Sequence, residues 1–353
     1  MLKILPYLKL AVEKNASDIF FTTNAAAMLK VEGEMFAIGK TQMTSDFIEE
    51  LAMSILTPEQ QEYFKQNLEI DLATQAGGLG RFRVNVFMQR NSVAMVLRFV
   101  KSDPPVLELL GTPEILKDLI MLKRGMVLMV GATGSGKTTT QAGMINHRNE
   151  NSTGHILAIE DPIEFVHPNK RSIINQRELG QDTLTIDRAL QSALREAPDV
   201  ILIGEVRQRS TMDAAMQLAN TGHLSLATLH ANNAYQALQR IVNLYSQESR
   251  DQLYMDLSMT LRAIVSQRLV RAKNGKRVAA FEILINTPYI SDLILSQRID
   301  EIKDAMSQSS DKGMLTFDNS LYQLYKSGKI EMEEALANSD SRSNMEAKIN
   351  FGG

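Results

Sequence analysis

Cysteine and tryptophan are both absent from the 353 residues. Without cysteine there is no disulfide framework and no thiolate zinc site, which fits a reducing compartment. An excess of one charge is also missing. Against 38 Lys and Arg stand 41 Asp and Glu, a formal net charge of -3, so no global basic field marks a nucleic-acid binder. No run approaches the ~18 apolar residues of a membrane helix. The N-terminal stretch MLKILPYLKLAVEKNASD is interrupted by Lys3, Pro6 and Lys9, which makes it a poor signal peptide. It predicts instead an amphipathic helix packed on its own domain and ending near Asn15. These absences describe a soluble protein whose membrane association, if any, runs through a partner. The hydrophobic share of 44% is ample for buried cores, and the length suggests two or three domains.

What is present is organised around one stretch, GMVLMVGATGSGKTTT, residues 125–140. Met126 to Val130 is a short apolar run, as expected of a buried parallel strand. It leads into Gly131, Ala132, Thr133, Gly134, Ser135, Gly136, Lys137 and Thr138, which together match the phosphate-loop pattern G-x-x-x-x-G-K-[ST]. The glycines let backbone N–H groups turn inward onto phosphate oxygens. Lys137 reaches the β- and γ-phosphates as a point charge, and Thr138 offers a hydroxyl to Mg²⁺. From Thr139 to His147 a helix is expected, its N-terminus facing the anion. A strand before the motif and a helix after it separate this loop from a chance glycine-rich turn.

The rest of the chain arranges itself on either side. Residues 1–100 mix helical and strand patterns, a small α+β domain. Ser45 reads as an N-cap before Phe47, Ile48, Leu51 and Ile55, and Pro58 as a helix start. Leu68 to Thr74 and Arg81 to Phe87 alternate as strands around Gly77-Gly78. Residues 101–113, with two Pro/Gly-rich clusters, read as a linker. From residue 114 to about 338, strands and helices alternate as in a parallel α/β sheet. The segments Asp251–Arg268 and Ile290–Met306 are expected to be mostly helical additions. The polar tail 339–353 is expected to fray.

In open α/β sheets ligands sit beyond the carboxyl ends of strands. Glu160, Asp161 and Glu164 follow one strand after the phosphate loop, Glu205 ends another, and His230 ends a third. A single acid there is an ordinary loop charge. A set sharing the edge with a phosphate loop suits ATP chemistry, which needs a positioned water, a metal and cationic stabilisation. Glu205, after four apolar residues, takes the place of a Walker B acid near Mg²⁺. His147, His155 and His167 have no evident partners and read as structural. Arg81, Arg83 and Arg98 lie far from the loop in sequence. They are either a solvated strand face or cations that reach a nucleotide across a domain or subunit boundary.

The combination of GRFRVNVF (80–87), the phosphate loop, AIEDPIEF (158–165), SALREAPDVILIGEVR (192–207), TGHLSLATLHANNA (221–234) and GMLTFDNSLYQLYKSGKI (313–330) resembles the secretion and pilus-motor ATPases. The last segment is similar to the type IV pilus retraction branch, the PilT/PilU group. The resemblance runs from Ala16 to about Asp340. It implies a homohexameric ring of two-domain subunits, PAS-like then RecA-like, that hydrolyses ATP with Mg²⁺. It implies Glu164 as the water-activating acid with Glu160 as runner-up, Glu205 as the Walker B glutamate, and His223 and His230 as sensors of nucleotide state. It also implies that Arg81, Arg83 and Arg98 contact nucleotide across the ring. The expected partners are a PilT-like paralogous ATPase and an inner-membrane platform protein, with no nucleic acid.

The chain departs from the family pattern at Gln208, Ser210 and Asn220, and Tyr289–Gln297 stands where the retraction motors carry a basic helix. These departures raise the question whether the protein drives pilus retraction alone or assists a PilT-like partner, and they keep open a ring subunit that binds ATP without hydrolysing it. Two further rivals are an extension or type II secretion ATPase, many of which carry a four-cysteine zinc element that cannot exist here, and a RecA-like DNA motor, against which the near-neutral charge and the pilus-like C-terminal segment weigh.

Overall fold

The computed structural model describes residues 3–100, 104–309 and 311–351. They form two compact units. The first comprises residues up to 103 together with Glu164–Val166, and the second the remainder from Pro104.

In the first unit, α1 (Leu5–Glu13) precedes β1 (Asp18–Phe21), β2 (Ala27–Val31) and β3 (Glu34–Ile38). Then come α2 (Ser45–Met53), α3 (Pro58–Asn67), β4 (Glu69–Ala76), β5 (Gly80–Gln89) and β6 (Ser92–Val100). The six strands form one sheet in the order β3-β2-β1-β6-β5-β4. The cap of α2 is Thr44, one residue before the expected Ser45. Its hydroxyl accepts the Phe47 N–H while Ser45 is already helical. At α3, Thr57 and Gln60 form a reciprocal capping box ahead of Pro58. Along β5 the period of two buries Phe82, Val84 and Val86 and sends Arg81 and Arg83 to the opposite face. The strand β3 has no strong alternation of its own and was not foreseen.

The second unit opens with a 3-10 turn, Leu107–Leu110, inside the expected linker, and Leu107 is buried against the helix that follows the phosphate loop. The first linker residues, 101–103, lie outside the described residues. The chain continues through α4 (Ile115–Ile120), β7 (Gly125–Val130), α5 (Lys137–Asn151), β8 (Gly154–Glu160), β9 (Ser172–Glu178), α6 (Ile186–Ala193), β10 (Val200–Ile203), α7 (Arg209–Asn220), β11 (Leu224–Leu229) and α8 (Ala234–Val242). It ends with α9 (Arg250–Thr260), β12 (Leu261–Arg271), β13 (Arg277–Ile285), α10 (Pro288–Leu295), α11 (Ile302–Gln308), α12 (Phe317–Lys326), α13 (Met332–Asn338) and α14 (Arg342–Phe351).

Seven strands pair in the order β13-β12-β7-β11-β10-β8-β9. All neighbours are parallel except β12 and β13. Every residue of β7, β10 and β11 is buried, as a strand covered by helices on both faces requires. Each large apolar side chain so buried contributes about 1.5–3 kcal/mol, so the position of β7 is fixed by packing rather than by the loop it carries.

Two expectations are corrected here. Asp251–Arg268 is not helical throughout: α9 stops at Thr260 and β12 begins at Leu261. Leu253, Leu257, Leu261 and Ile264 keep a helical spacing across that boundary, so periodicity alone does not mark where the helix stops. The described part of the tail, to Phe351, is helical and docked. Met345 of α14 is 1% exposed and packs with Phe317, Leu321 and Leu336. Asp340, just before that helix, accepts from Arg268 Nη1 at 3.1 Å and lies 3.4 Å from Lys303 Nζ.

Met345→Ala should therefore cost about 2–5 kcal/mol, the range for truncating a buried large side chain. Chemical denaturation would measure it, and a loss under half a kcal/mol would contradict the docked helix. A pH effect is also expected. His167 is buried, and desolvation assisted by the Lys170 charge pushes its pKa down to about 4. Between pH 6.5 and 4 the unfolded chain therefore binds the proton first, and stability falls as pH falls. His167→Leu should flatten that part of the stability profile.

Candidate nucleotide site

The site grows out of the carboxyl ends of β7, β10 and β11. At the end of β7 the backbone enters the loop through Gly131, and Gly134 and Gly136 take φ of 76° and 89°, a region that disfavours side chains. A Cβ on Gly131 would lie 2.6 Å from the Gln267 carbonyl oxygen, and one on Gly136 2.8 Å from Gln267 Nε2. The chain can pass this close to β12 only without side chains. Helix α5 then runs for 15 residues, and its first N–H groups and dipole face the loop. Ser135 Oγ is buried with no hydrogen-bond partner. A buried, unpaired hydroxyl in a ring of backbone donors fits a loop built to receive phosphate oxygens.

Lys137 bends back over the loop, its Nζ donating to the carbonyls of Gly131 at 2.7 Å and Ala132 at 2.9 Å. Burial holds its ammonium below the ordinary lysine pKa, and the negative charge of Glu205 opposes that shift. The loop lysine and the strand-end acid thus sense each other's field. Thr138 is exposed in the first turn of α5, and Thr139 borders a cavity of about 640 Å³ beside Gly136 and Thr140. A second cavity of about 700 Å³ opens along Ala132, Thr133, Gly134 and Ser135 toward Asn232 and Arg268.

Glu205 follows Gly204, where a Cβ would stand 3.2 Å from the Glu160 Cα. Glycine there lets the ends of β10 and β8 lie side by side. One Glu205 oxygen accepts from Arg207 Nη2 at 2.7 Å and Nε at 2.8 Å. The other lies 3.2 Å from His230 Nε2. Arg207 is in turn 4.0 Å from Asp161, and its hydrogen bond to Glu205 raises its pKa further. His230 also shares a cavity with Gly131 and Ala132. The phosphate loop, Glu205 and His230 are therefore one site.

Other expected residues are placed differently. Glu160 is buried and accepts from Gln176 Nε2 at 3.0 Å, which ties it to the polar cluster on β9. Glu164 is exposed on the connection from β8 to β9, in the Glu164–Val166 segment that groups with the first unit. His223 precedes β11 and His230 follows it, so roughly 20 Å of strand separates them. His223 Nδ1 sits 3.1 Å from both Thr221 Oγ1 and the Leu218 carbonyl, at the end of α7. Within one chain His223 is remote from the loop. In the first unit, Arg83 lies opposite Arg98 and Arg98 opposite Asp18, so all three share a sheet face with Arg81. Arg98 Nε donates to Asp18 Oδ1 at 2.8 Å.

Sequence reasoning missed Arg207 and Gln267. Arg207 stands two residues after a recognised acid, and that proximity was the available signal. Gln267 stands between Ser266 and Arg268 on β12, a setting that carries no local sign of a nucleotide site.

The oxygen donors Thr138 and Glu205 suit a hard cation such as Mg²⁺. Among the described residues no group of three His, Cys, Asp or Glu gathers as a metal cage. A magnesium ion there would be completed by phosphate oxygens and water, as is usual for it.

This arrangement is that of a P-loop ATPase, and comparison with known proteins gives the family. A model described as "Type II/IV secretion system protein" matches residues 3–341, and the chain belongs to that family, within which it is an ATPase of the PilT/PilU type. It is 49% identical over 346 residues to the type IV pilus ATPase PilU of Pseudomonas aeruginosa, covering 98% of this chain and 91% of that one. Identity to the pilus retraction ATPase PilT of the same organism is 38% over 328 residues, 93% and 95% of the two chains. A crystal structure of the pilus retraction motor PilT with bound ADP superposes with a TM-score of 0.91 at 38% identity, covering 97% of this chain and 98% of that one. The fold is accordingly a RecA-like ATPase core preceded by a small α+β domain.

Glu205→Gln should keep nucleotide affinity and lower hydrolysis by roughly 100-fold or more, the scale of a lost acid–base or metal-positioning group. Measured phosphate release at the wild-type rate would remove Glu205 from the site.

Proposed function

We propose that this protein hydrolyses ATP as a homohexameric motor that drives or assists type IV pilus retraction. The observation that carries the reading is the meeting of Gly131–Thr138, Glu205 and His230 at one sheet edge, in a chain related along nearly its whole length to PilU.

In this reading the substrate is ATP with Mg²⁺. The N–H groups of Gly131 to Thr139 and the Lys137 ammonium hold the phosphates. Thr138 and Glu205 would hold Mg²⁺, which would supply neutralisation of phosphate charge. Lys137 exchanges its two loop carbonyls for phosphate oxygens. Arg207 and His230 hold Glu205 at the strand end, and His230 is placed to follow changes there. Glu164 takes the proton of the attacking water; the engagement of Glu160 with Gln176 favours Glu164 over Glu160 for that task. Arg81, Arg83 and Arg98 meet the nucleotide of a neighbouring subunit, and His223 acts at that boundary. The motor works at the inner membrane through a platform protein; among the described residues no helix is long and apolar enough to cross a membrane.

The accessory form of this function has its own support. Gln208 caps α7 without a side-chain hydrogen bond, and Asn220 ends the same helix, which leads from Glu205 to His223. Helix α10 carries no basic residue and exposes Tyr289 and Leu295. These changes leave the ATP site intact and alter surfaces away from it. They favour a protein that acts beside a PilT-like paralogue.

Three outcomes are expected. Lys137→Ala abolishes steady-state phosphate release, and normal turnover would refute the loop assignment. A chain starting at Pro104, which keeps the whole second unit, binds ATP yet hydrolyses it poorly, since it lacks the three arginines. Cells carrying this protein without a paralogue show little retraction, as tracked by fluorescent pilus imaging; robust retraction there makes it a complete motor.

A further inference from the structure

Gln267 is 3% exposed in the middle of β12 and is flanked in sequence by Ser266 and Arg268. A buried amide needs partners, because an unpaired one costs more than a packed apolar side chain. The strand register explains where these partners come from. Strand β12 runs parallel to β7 with Ser266 opposite Val130, so Gln267 stands beside Gly131, the first residue of the phosphate loop. Its Oε1 accepts from Thr140 Oγ1 at 2.8 Å, and both residues are buried. Its Nε2 lies 2.8 Å, and its carbonyl oxygen 2.6 Å, from where Cβ atoms on Gly136 and Gly131 would stand. One residue thus abuts the start of the loop, its last glycine and the first turn of α5. It also borders both cavities that flank the loop.

We propose that Gln267 is a positioning residue for nucleotide: through Thr140 and the two glycines it sets the distance between β7 and the N-terminus of α5, and so the aim of the loop's N–H groups. It touches no phosphate itself. The inference rests on the reading of Gly131–Thr138 as the ATP site. Hydrogen-bond donors aimed at an anion lose their value steeply with misalignment. Removing the amide therefore weakens nucleotide affinity without unfolding the chain, because a leucine of similar volume preserves the packing.

The test uses the full-length chain and a fluorescent ATP analogue. Gln267→Leu and Thr140→Val should each weaken binding by about tenfold, in line with the loss of a buried hydrogen bond. The double variant should bind no worse than about threefold below the weaker single one, since both changes remove the same contact. Thr140→Ser, which keeps the donor, should retain affinity. The double variant, in which neither partner is left unpaired, should melt near wild type without nucleotide while its affinity stays low, a split that a merely structural role for the bond would not give. Wild-type affinity in Gln267→Leu, or losses that multiply in the double variant, would overturn the inference. If Gln267→Leu does not fold, equal affinities of Thr140→Val and Thr140→Ser would overturn it alone. Failure of the wild type to bind the analogue would instead sink the ATP-site reading itself.

Discussion

A buried parallel strand has to end somewhere, and where it ends its backbone donors must change partners. In this protein that problem is sharpest at the end of β7. All six of its residues are buried and its neighbours on both sides are parallel. The chain then turns at Gly131 and starts α5 only six residues later. Between strand and helix lies a row of N–H groups with no place in either ladder. The nucleotide loop exists because of that row, and the glycines exist because β12 passes within a side chain's width of it.

The other strand ends supply what backbone alone lacks. β10 delivers Glu205, β11 delivers His230, and Arg207 folds back between them. The Arg207 guanidinium on one oxygen and the His230 imidazole on the other hold that carboxylate in one orientation. The site is therefore a small electrostatic network in which Lys137 already feels Glu205, not a loop with decorations. The first unit is built differently. Its arginine face stands on an antiparallel hairpin whose other face is filled by Phe82, Val84 and Val86, so the cations sit on a rigid support.

Much of this was legible in the sequence because the motif is contiguous. Strand, loop and helix from Met126 onward needed no tertiary information, and Glu205 and His230 were placed by the rule that ligands gather at strand ends. The separation of His223 from His230 follows from the length of β11, although both carry the same kind of side chain. Gln267 was invisible because its importance comes from the pairing of β12 with β7, a register that no local pattern encodes. The segment Asp251–Arg268 misled because Leu253, Leu257, Leu261 and Ile264 keep a helical spacing through the point where β12 begins. The tail 339–353 looked too polar to be held, yet its described part, to Phe351, is docked. Its anchors, Met345 and Asp340, are single residues whose partners lie in α12 and β12.

The pairing of Arg268 with Asp340 spans 72 residues of sequence, and this has a meaning for how the protein is made. Synthesis is vectorial, and domains tend to fold as units in the order they emerge. The first unit draws nearly all of its contacts from residues up to 103 and is able to close early. The strand beside the nucleotide loop is in a different position: its arginine waits for an aspartate made 72 residues later. Until Asp340 emerges, Arg268 can lie on the Phe317 ring but lacks its carboxylate partner, so the ATPase unit is completed well after the first unit.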